Sequence, residues 1–548
     1  MKTISIKHFL VASALCCGMA TAFTACAEWD DHYEGTTSAG SDQTLWQQLQ
    51  ADKDLTDFCK VLEQTKVFRM HKKTVVSYAD LLNSGQSFTV VAPVNGSFNC
   101  DSLLRLVETN QGDSVVEKSF VLNHISRSTT SLKPDYQSML LLNSKYVTMG
   151  GNSIQGVTVK DANKHAMNGV LHVTNSPLPY QINLYEALCD LPEMSGIGNV
   201  LRQYDEDYFD ADASVSNGIV EGVPVYVDSV VIERNRMLQN IGLINAEDSV
   251  YWVVAPSVAG WQKAWDNASK YFVYDASVLK RDSIQQYWTA RSLMEDAIFN
   301  MTDQRSTEDS LVSVPYISWR NSLYVPGKPI YHVFKKPFAE GGILNGAEKV
   351  NCSNGVLYKV NEWPFTLEQT FFKELWSEGE KTELITEYSD KLCSYNVRRE
   401  VADSISENSY LQIMPSTNTA NWDVTFRVNN TLAADYDICV VLLPKSVSDK
   451  VNPDLRPCKF RATIKYVDEN GKAQEFNCNK TTFTSDPEKV DTVVIAEKFH
   501  LPVCNYDQSD IKVAVNLQCY ISAKETSRYS REMYLDCIYL RPRISKAE

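Results

Sequence analysis

Three segments of this chain occur twice in the same order, and that duplication limits the fold more than anything else in the sequence. Leu45-Trp46-Gln47-Gln48-Leu49 opens an apolar-periodic stretch that continues through Leu55, Phe58, Val61 and Leu62. Its counterpart is Leu184-Tyr185-Glu186-Ala187-Leu188, continued by Ile197, Val200 and Leu201. Phe88-Thr89-Val90-Val91-Ala92-Pro93, leading to Ser97-Phe98, returns as Tyr251-Trp252-Val253-Val254-Ala255-Pro256, leading to Gly260-Trp261. Asn168-Gly169-Val170-Leu171-His172-Val173 returns as Asn354-Gly355-Val356-Leu357-Tyr358-Lys359-Val360. The first pair has the period of an amphipathic helix. The second is a buried β-branched strand halted by a proline, whose nitrogen cannot donate to a ladder. A turn into a helix follows, with Asn95 placed to cap it and Phe98 to hold it to the core. Asn-Gly supplies a tight turn before a strand of alternating apolar residues. A set used twice predicts two domains of one fold, over residues 44–181 and 182–366.

The order of these pieces resembles the fasciclin domain. That family's first strand motif is T-V-F-A-P-T-N-x-A-F, matched here by Thr89, Ala92, Pro93, Asn95 and Phe98; its closing motif is N-G-x-I-H-x-I-D, matched by Asn168, Gly169, Val170 and His172. Asn123-His124 matches the family's central Asn-His element. The second copy departs from the pattern. Tyr358 replaces the histidine, Met294 to Phe299 stands where the central element belongs without its Asn-His pair, and the interval from Pro256 to Asn354 exceeds that from Pro93 to Asn168 by 23 residues. The resemblance implies an adhesion or binding role and structural, core-bonded histidines at 124 and 172.

From about Leu384 onwards short alternating runs replace helical periodicity: Tyr410 to Ile413, Trp422 to Val428, Ile438 to Leu443, Phe460 to Val467, Thr492 to Ala496, Ile511 to Leu517 and Met533 to Leu540. Asp468-Glu469-Asn470-Gly471 reads as a hairpin turn. Strands at this spacing predict an antiparallel sandwich over residues 380–548, of jelly-roll type by analogy with carbohydrate-binding modules. The expected fold class is therefore α+β: two fasciclin-like domains followed by an all-β sandwich. Seven of the 14 cysteines fall in this last part (Cys393, Cys439, Cys458, Cys478, Cys504, Cys519, Cys537). An odd number at irregular spacing, several within apolar runs, predicts buried thiols rather than a disulfide framework.

The N-terminus carries a second resemblance. Lys2 and Lys7 precede an uncharged run from Phe9 to Ala25, laid out as a secretory signal (1–25). Phe23-Thr24-Ala25-Cys26 resembles the lipobox of bacterial lipoproteins, with Phe23 in place of the usual Leu, which makes Cys26 the expected lipid attachment site. An ordinary cleaved signal with an incidental cysteine is the alternative. Glu28, Asp30 and Asp31 in the tether (26–43) resemble the export signal that sends lipoproteins to the outer face of the outer membrane; solvated linker charge is the plain reading. The expected partners are thus a lipid bilayer through Cys26 and a surface protein or glycan. A net charge of −15 with no basic stretch argues against nucleic acid.

Motifs for catalysis are scarce. The sequence has no G-x-S-x-G, H-E-x-x-H or C-x-x-C, and Gly196 and Gly198 fall inside a helix counterpart instead of after a strand. Asp205, Glu206, Asp207, Asp210 and Asp212 concentrate charge enough to hold calcium, but lack the EF-hand glycine and closing glutamate, so a solvated loop is expected. Trp261 and Trp265 share a helix face; Trp261 occupies the place of Phe98 and is expected in the core. Trp422, Tyr436, Tyr466, Tyr506 and Tyr529 form the pool for a glycan-stacking surface in the sandwich. These readings predict no catalytic residue, no cofactor and no metal, with the ligand-binding residues open. The expected function is a lipid-anchored surface binding or adhesion protein, capturing glycan or a protein partner beside an outer-membrane nutrient-uptake system. The alternatives are a glycan-active hydrolase with an unrecognised carboxylate pair and a purely structural component of a surface assembly.

Overall fold

A computed structural model describes residues 42–544, apart from 70–71, 221–222, 315, 318–328, 390, 403, 479–481 and 511. The expected signal (1–25), Cys26 and nearly all of the tether lie outside the described residues. The chain divides into two compact units, Met1–Gln181 and Ile182–Glu548.

In the first unit, Thr44 and Gln47 form a capping box that starts the helix Leu45–Ala51. The apolar period carries on through Leu62, but the helix does not: Asp52 turns extended and its carboxylate accepts from the Asp54 N–H, so a second helix, Thr56–Gln64, begins afresh. Asn95 does not cap the helix after the strand, as its position had predicted. Residues 94–99 form an intervening turn, Asn99 caps Cys100–Val107, and Asn95 instead accepts from the Asp57 N–H at the start of the earlier helix. The strand Phe88–Pro93 is buried at every position, consistent with coverage on both faces. It lies parallel to Gly169–Thr174 in a seven-stranded sheet, with Ile125–Ser126 outside it and Val157–Ala166, Ser153–Ile154, Tyr146–Gly150 and Gln137–Leu140 continuing the other way.

Asn168 closes this arrangement. Its side-chain oxygen accepts from the Leu45 N–H at 2.7 Å, and its amide donates to the carbonyls of Leu82 (2.9 Å) and Ser84 (2.8 Å). One buried side chain therefore ties the first helix, the residues before the strand and the closing turn. Gly169 sits at φ 147°, and a Cβ there would lie 1.9 Å from the Phe88 carbonyl oxygen, so only glycine fits.

The second unit repeats each of these devices. Asn183 and Glu186 form the capping box of Leu184–Asp190. Tyr251–Pro256 runs parallel to Gly355–Val360, paired Tyr251 to Gly355 through Pro256 to Val360, as Phe88 pairs to Gly169 through Pro93 to Thr174. Asn354 accepts from the Leu184 N–H (2.9 Å) and donates to Ile244 (2.8 Å) and Ala246 (2.7 Å). Gly355 has φ 148° and a Cβ would meet the Tyr251 carbonyl oxygen at 1.8 Å. The sheet itself is smaller, four strands in the order Ile298–Asn300, Tyr251–Pro256, Gly355–Val360, Glu348–Cys352. By register, Asp296 and Ala297 take the places of Asn123 and His124.

The remainder is a sandwich of two antiparallel sheets, each of six strands. One orders Cys393–Arg399, Ser409–Pro415, Met533–Arg543, Asp435–Leu442 and Asp491–His500, with Leu375–Glu378 also on Met533–Arg543. The other orders Ile385–Tyr388, Asp423–Arg427, Ala514–Cys519, Lys459–Val467 and Ala473–Asn477, with Phe483–Thr484 on Lys459–Val467. Leaving aside the two-residue Phe483–Thr484, the eight strands from Ser409 to Arg543 lie four to each sheet in jelly-roll order. The sandwich takes in Leu375–Glu378, ahead of residue 380. Each run of alternating residues has its described part on or beside a strand; that of Ile511 to Leu517 enters its strand only at Ala514, and Ile511 lies outside the described residues. Asp468–Gly471 turns between Lys459–Val467 and Ala473–Asn477, with Gly471 at φ 78°.

The second repeat and the sandwich share a core. Tyr271, Phe272, Tyr274 and Trp288 are buried in one cluster with Trp422, Phe426, Tyr436 and the facing sheet residues. Residues 271–278 form a strap along one end of the sandwich. Ala433 N–H donates to Tyr271 O (2.9 Å), Cys504 N–H to Val273 O (2.6 Å), and Ala276 N–H to Glu469 O in the hairpin turn (2.9 Å). Lys512 pairs with Asp275 at 2.9 Å, both largely buried.

Candidate ligand-binding cleft

Most polar residues that the sequence singled out are occupied by the protein itself. His124 is fully buried; its Nδ1 lies 2.7 Å from Phe120 O and its Nε2 accepts from the Leu178 N–H at 2.9 Å. One nitrogen donating and one accepting is the neutral imidazole, and burial draws its pKa down to about 4. His172 is held likewise between the Asn163 N–H and the Thr130 carbonyl, with its pKa lowered by burial. Asp205 accepts from Tyr185 and Asn235, and Glu206 takes both Arg234 (2.7 Å) and Arg236 (3.1 Å). These acids open a long hairpin, Asp205–Val220 with Val223–Asn235; the side chains of Asp210 and Asp212 lie outside the described residues. Among the described residues no group of three or more His, Cys, Asp or Glu is placed to hold a metal ion.

The proposed aromatic pool sorts differently. Trp422 and Tyr436 are core residues at 0% and 1% exposure, Trp422 donating to Arg531 O, so neither can stack on a ligand. Tyr466 packs on Phe499, Tyr529 lies under Lys459, and Tyr506 faces Trp288 at 4.8 Å. Trp261 is buried, as its place in the repeat requires. Of the eleven cysteines described, ten are buried.

Three carboxyls not singled out by the sequence gather where Leu375–Glu378 meets the last strand. Ser406 donates from its N–H to Asp536 (3.0 Å) and from its hydroxyl to Glu378 (2.9 Å). Burial pushes Asp536 and Glu380 up to about 7 and raises Glu378. The second oxygens of Glu378 and Glu380 are covered from solvent without a hydrogen-bond partner.

A cleft of about 880 Å³ lies at the seam between the second repeat and the sandwich. Its aromatic wall is a run of edge-to-face rings, Tyr204 to Tyr287 at 5.7 Å, Tyr287 to Trp288 at 5.2 Å, then Trp288 to Tyr506 in the core. The helix Arg281–Met294 carries Tyr287 and Trp288 and begins at Lys280 in left-handed backbone. Gln239, Asn240 and Ser283 add polar groups, and the sandwich contributes Asp507 to Ser509. The Tyr287 oxygen receives Asn240 Nδ2 (3.4 Å) and Arg291 NH1 (3.3 Å), which leaves its own proton to donate. Arg291 in turn is held by an ion pair with buried Glu295 beneath the cleft. No single segment builds this site: residues 204, 234–240, 279–288 and 507–509 converge on it. That dispersal is why sequence reasoning missed it.

No family model matches this chain, and no curated protein matches it. Among solved structures it is similar over 32% of its length to the N-terminal carbohydrate-binding and catalytic modules of an endo-1,4-β-D-xylanase from Clostridium thermocellum, complexed with xylohexaose (7% identity, TM-score 0.22, 29% of that chain). It is similar over 35% to a Paenibacillus xanthan lyase (13% identity, TM-score 0.22, 16% of that chain). It is also similar over 31% to a xylan-binding domain of carbohydrate-binding family 22 (10% identity, TM-score 0.20, 95% of that domain). The chain therefore spans less than a third of the first two.

Proposed function

We propose that this protein is a non-catalytic binding protein of the cell surface, lipid-anchored through Cys26, that captures glycan in the seam cleft. The observation that carries the reading is the cleft's make-up: Tyr204 and Tyr287 on its wall, backed by the buried Trp288, beside amide, hydroxyl and guanidinium donors. Sugar rings offer apolar C–H faces and a fringe of hydroxyls, and a site of this kind meets both. The two repeats, closed by Asn168 and Asn354 in matching ways, are read as fasciclin-like domains that carry the sandwich outward. A hydrolase reading would fall to Glu378, Glu380 and Asp536, whose raised pKa values suit a general acid. One oxygen each of Glu378 and Glu380 is covered from solvent and Asp536 is buried, which favours a structural role.

The test is glycan-array binding by the full chain with and without Tyr287→Ala. Selective binding that falls tenfold or more in the variant, with near-ultraviolet circular dichroism unchanged, supports the assignment. Binding that survives the substitution, or no binding to any glycan, refutes it and transfers the weight to a protein partner.

A further inference from the structure

The cations around the seam cleft go beyond what a neutral sugar needs. Arg234, Arg236 and Lys280 line it, against Asp507 alone among lining carboxylates, in a chain whose net charge is −15. Both arginines meet Glu206 through Nε, so one carboxylate offsets two guanidiniums. Arg234 also lies over the Tyr208 ring at 3.7 Å, which fixes its plane, and Arg236 is mostly exposed. Lys280 makes no ion pair among the described residues, and the left-handed backbone at φ 56° sets it at the head of the helix that carries Tyr287 and Trp288. A guanidinium engaged at Nε keeps its terminal amino groups, and their fork matches the two oxygens of a carboxylate.

We infer that the cleft selects an acidic saccharide, one whose sugar ring carries a carboxylate, with the ring against Tyr287 and the acid group between Arg236 and Lys280. This rests on the glycan-binding reading above and narrows it to a ligand class. The acid group supplies the negative charge that the three cations leave unmatched, and Tyr287 and Asn240 serve the hydroxyls.

The experiment is calorimetric titration of the full chain with a de-esterified hexagalacturonate, its fully methyl-esterified form and xylohexaose, at low and at physiological salt. The expected result is binding of the acid form at least tenfold tighter than its ester, weakened by salt. Lys280→Met and Arg236→Gln should each reduce that binding fivefold or more while leaving thermal unfolding unchanged. Equal binding of acid and ester, or an acid form indifferent to both substitutions, overturns the acidic-ligand inference and leaves glycan capture standing. Failure of all three, together with a blank glycan array, overturns both.

Discussion

Replacing Asn168 or Asn354 with alanine tests whether the two repeats are closed by the same bond set. Each side chain is almost fully buried and makes three hydrogen bonds to backbone groups: one N–H of the first helix and two carbonyls of the segment before the strand. Truncation strands all three partners, and an unsatisfied buried group costs about 1–3 kcal/mol. One carbonyl in each set is only part-buried and can turn to water, so about 3–5 kcal/mol is expected for either substitution. Against a typical domain stability of about 5–15 kcal/mol that is a large fraction. The assay is urea unfolding read by hydrogen exchange, which follows each unit by its own peptides. Asn168→Ala should release the Leu45 amide and weaken residues 42–181 alone; Asn354→Ala should release Leu184 and weaken only 182–544. Asn→Asp keeps the acceptor but turns a carboxylate on two carbonyls, and should be at least as harmful. A cost under about 1 kcal/mol in either copy, or full rescue by aspartate, would refute the reasoning.

Two further outcomes follow from burial. His124 has its pKa lowered to about 4 against an ordinary 6.5, so its share of stability is whole above 6.5 and drains as pH falls towards 4, by about 3 kcal/mol at 1.36 kcal/mol per unit. Asp536 and Glu380 are raised to about 7, so their share is whole below the ordinary carboxylate range and is lost as pH rises through 7. Going from pH 7 to 5 the two groups push their units in opposite directions; His124→Gln and Asp536→Asn should each flatten the slope of their own unit in urea titrations followed by hydrogen exchange. The second outcome concerns the strap: a fragment of residues 375–544 lacks Tyr271, Phe272, Tyr274 and Trp288 from its core and should bind hydrophobic dye and lose near-ultraviolet dichroism. Within the full chain, Phe272→Ala should cost about 3–5 kcal/mol in the second unit, measured by urea unfolding.

Much of the architecture was legible because local chemistry and tertiary role coincide. Val-Val-Ala-Pro marks a buried strand in both copies and the Asn-Gly pairs at 168–169 and 354–355 mark the closing turns, while the apolar-alternating runs each give residues to the sandwich core. What escaped lacks such coincidence. Cys393–Arg399 and Ala473–Asn477 are edge strands with little buried on either face, so no alternation marks them. Asn95 lies beside one helix in sequence and caps another in space, since a cap needs only reach. Tyr271-Phe272-Val273-Tyr274 does carry a signal, four apolar residues just before a polar turn, but its partner strands lie more than 150 residues away. The cleft has four separate contributors, and Trp422 and Tyr436, prominent in sequence as aromatics of the sandwich, are the residues that fill its core.

The strap also decides what this chain can exchange with others. Between its first strand and the antiparallel strand that follows, the second repeat is longer than the first, and the strap lies within that interval. A cut between residues 366 and 380, where composition changes, would separate the sandwich from aromatic residues its interior uses. The heritable cassette is therefore 182–548 as a whole. The first repeat bonds its own closing turn with Asn168 and encloses its own core.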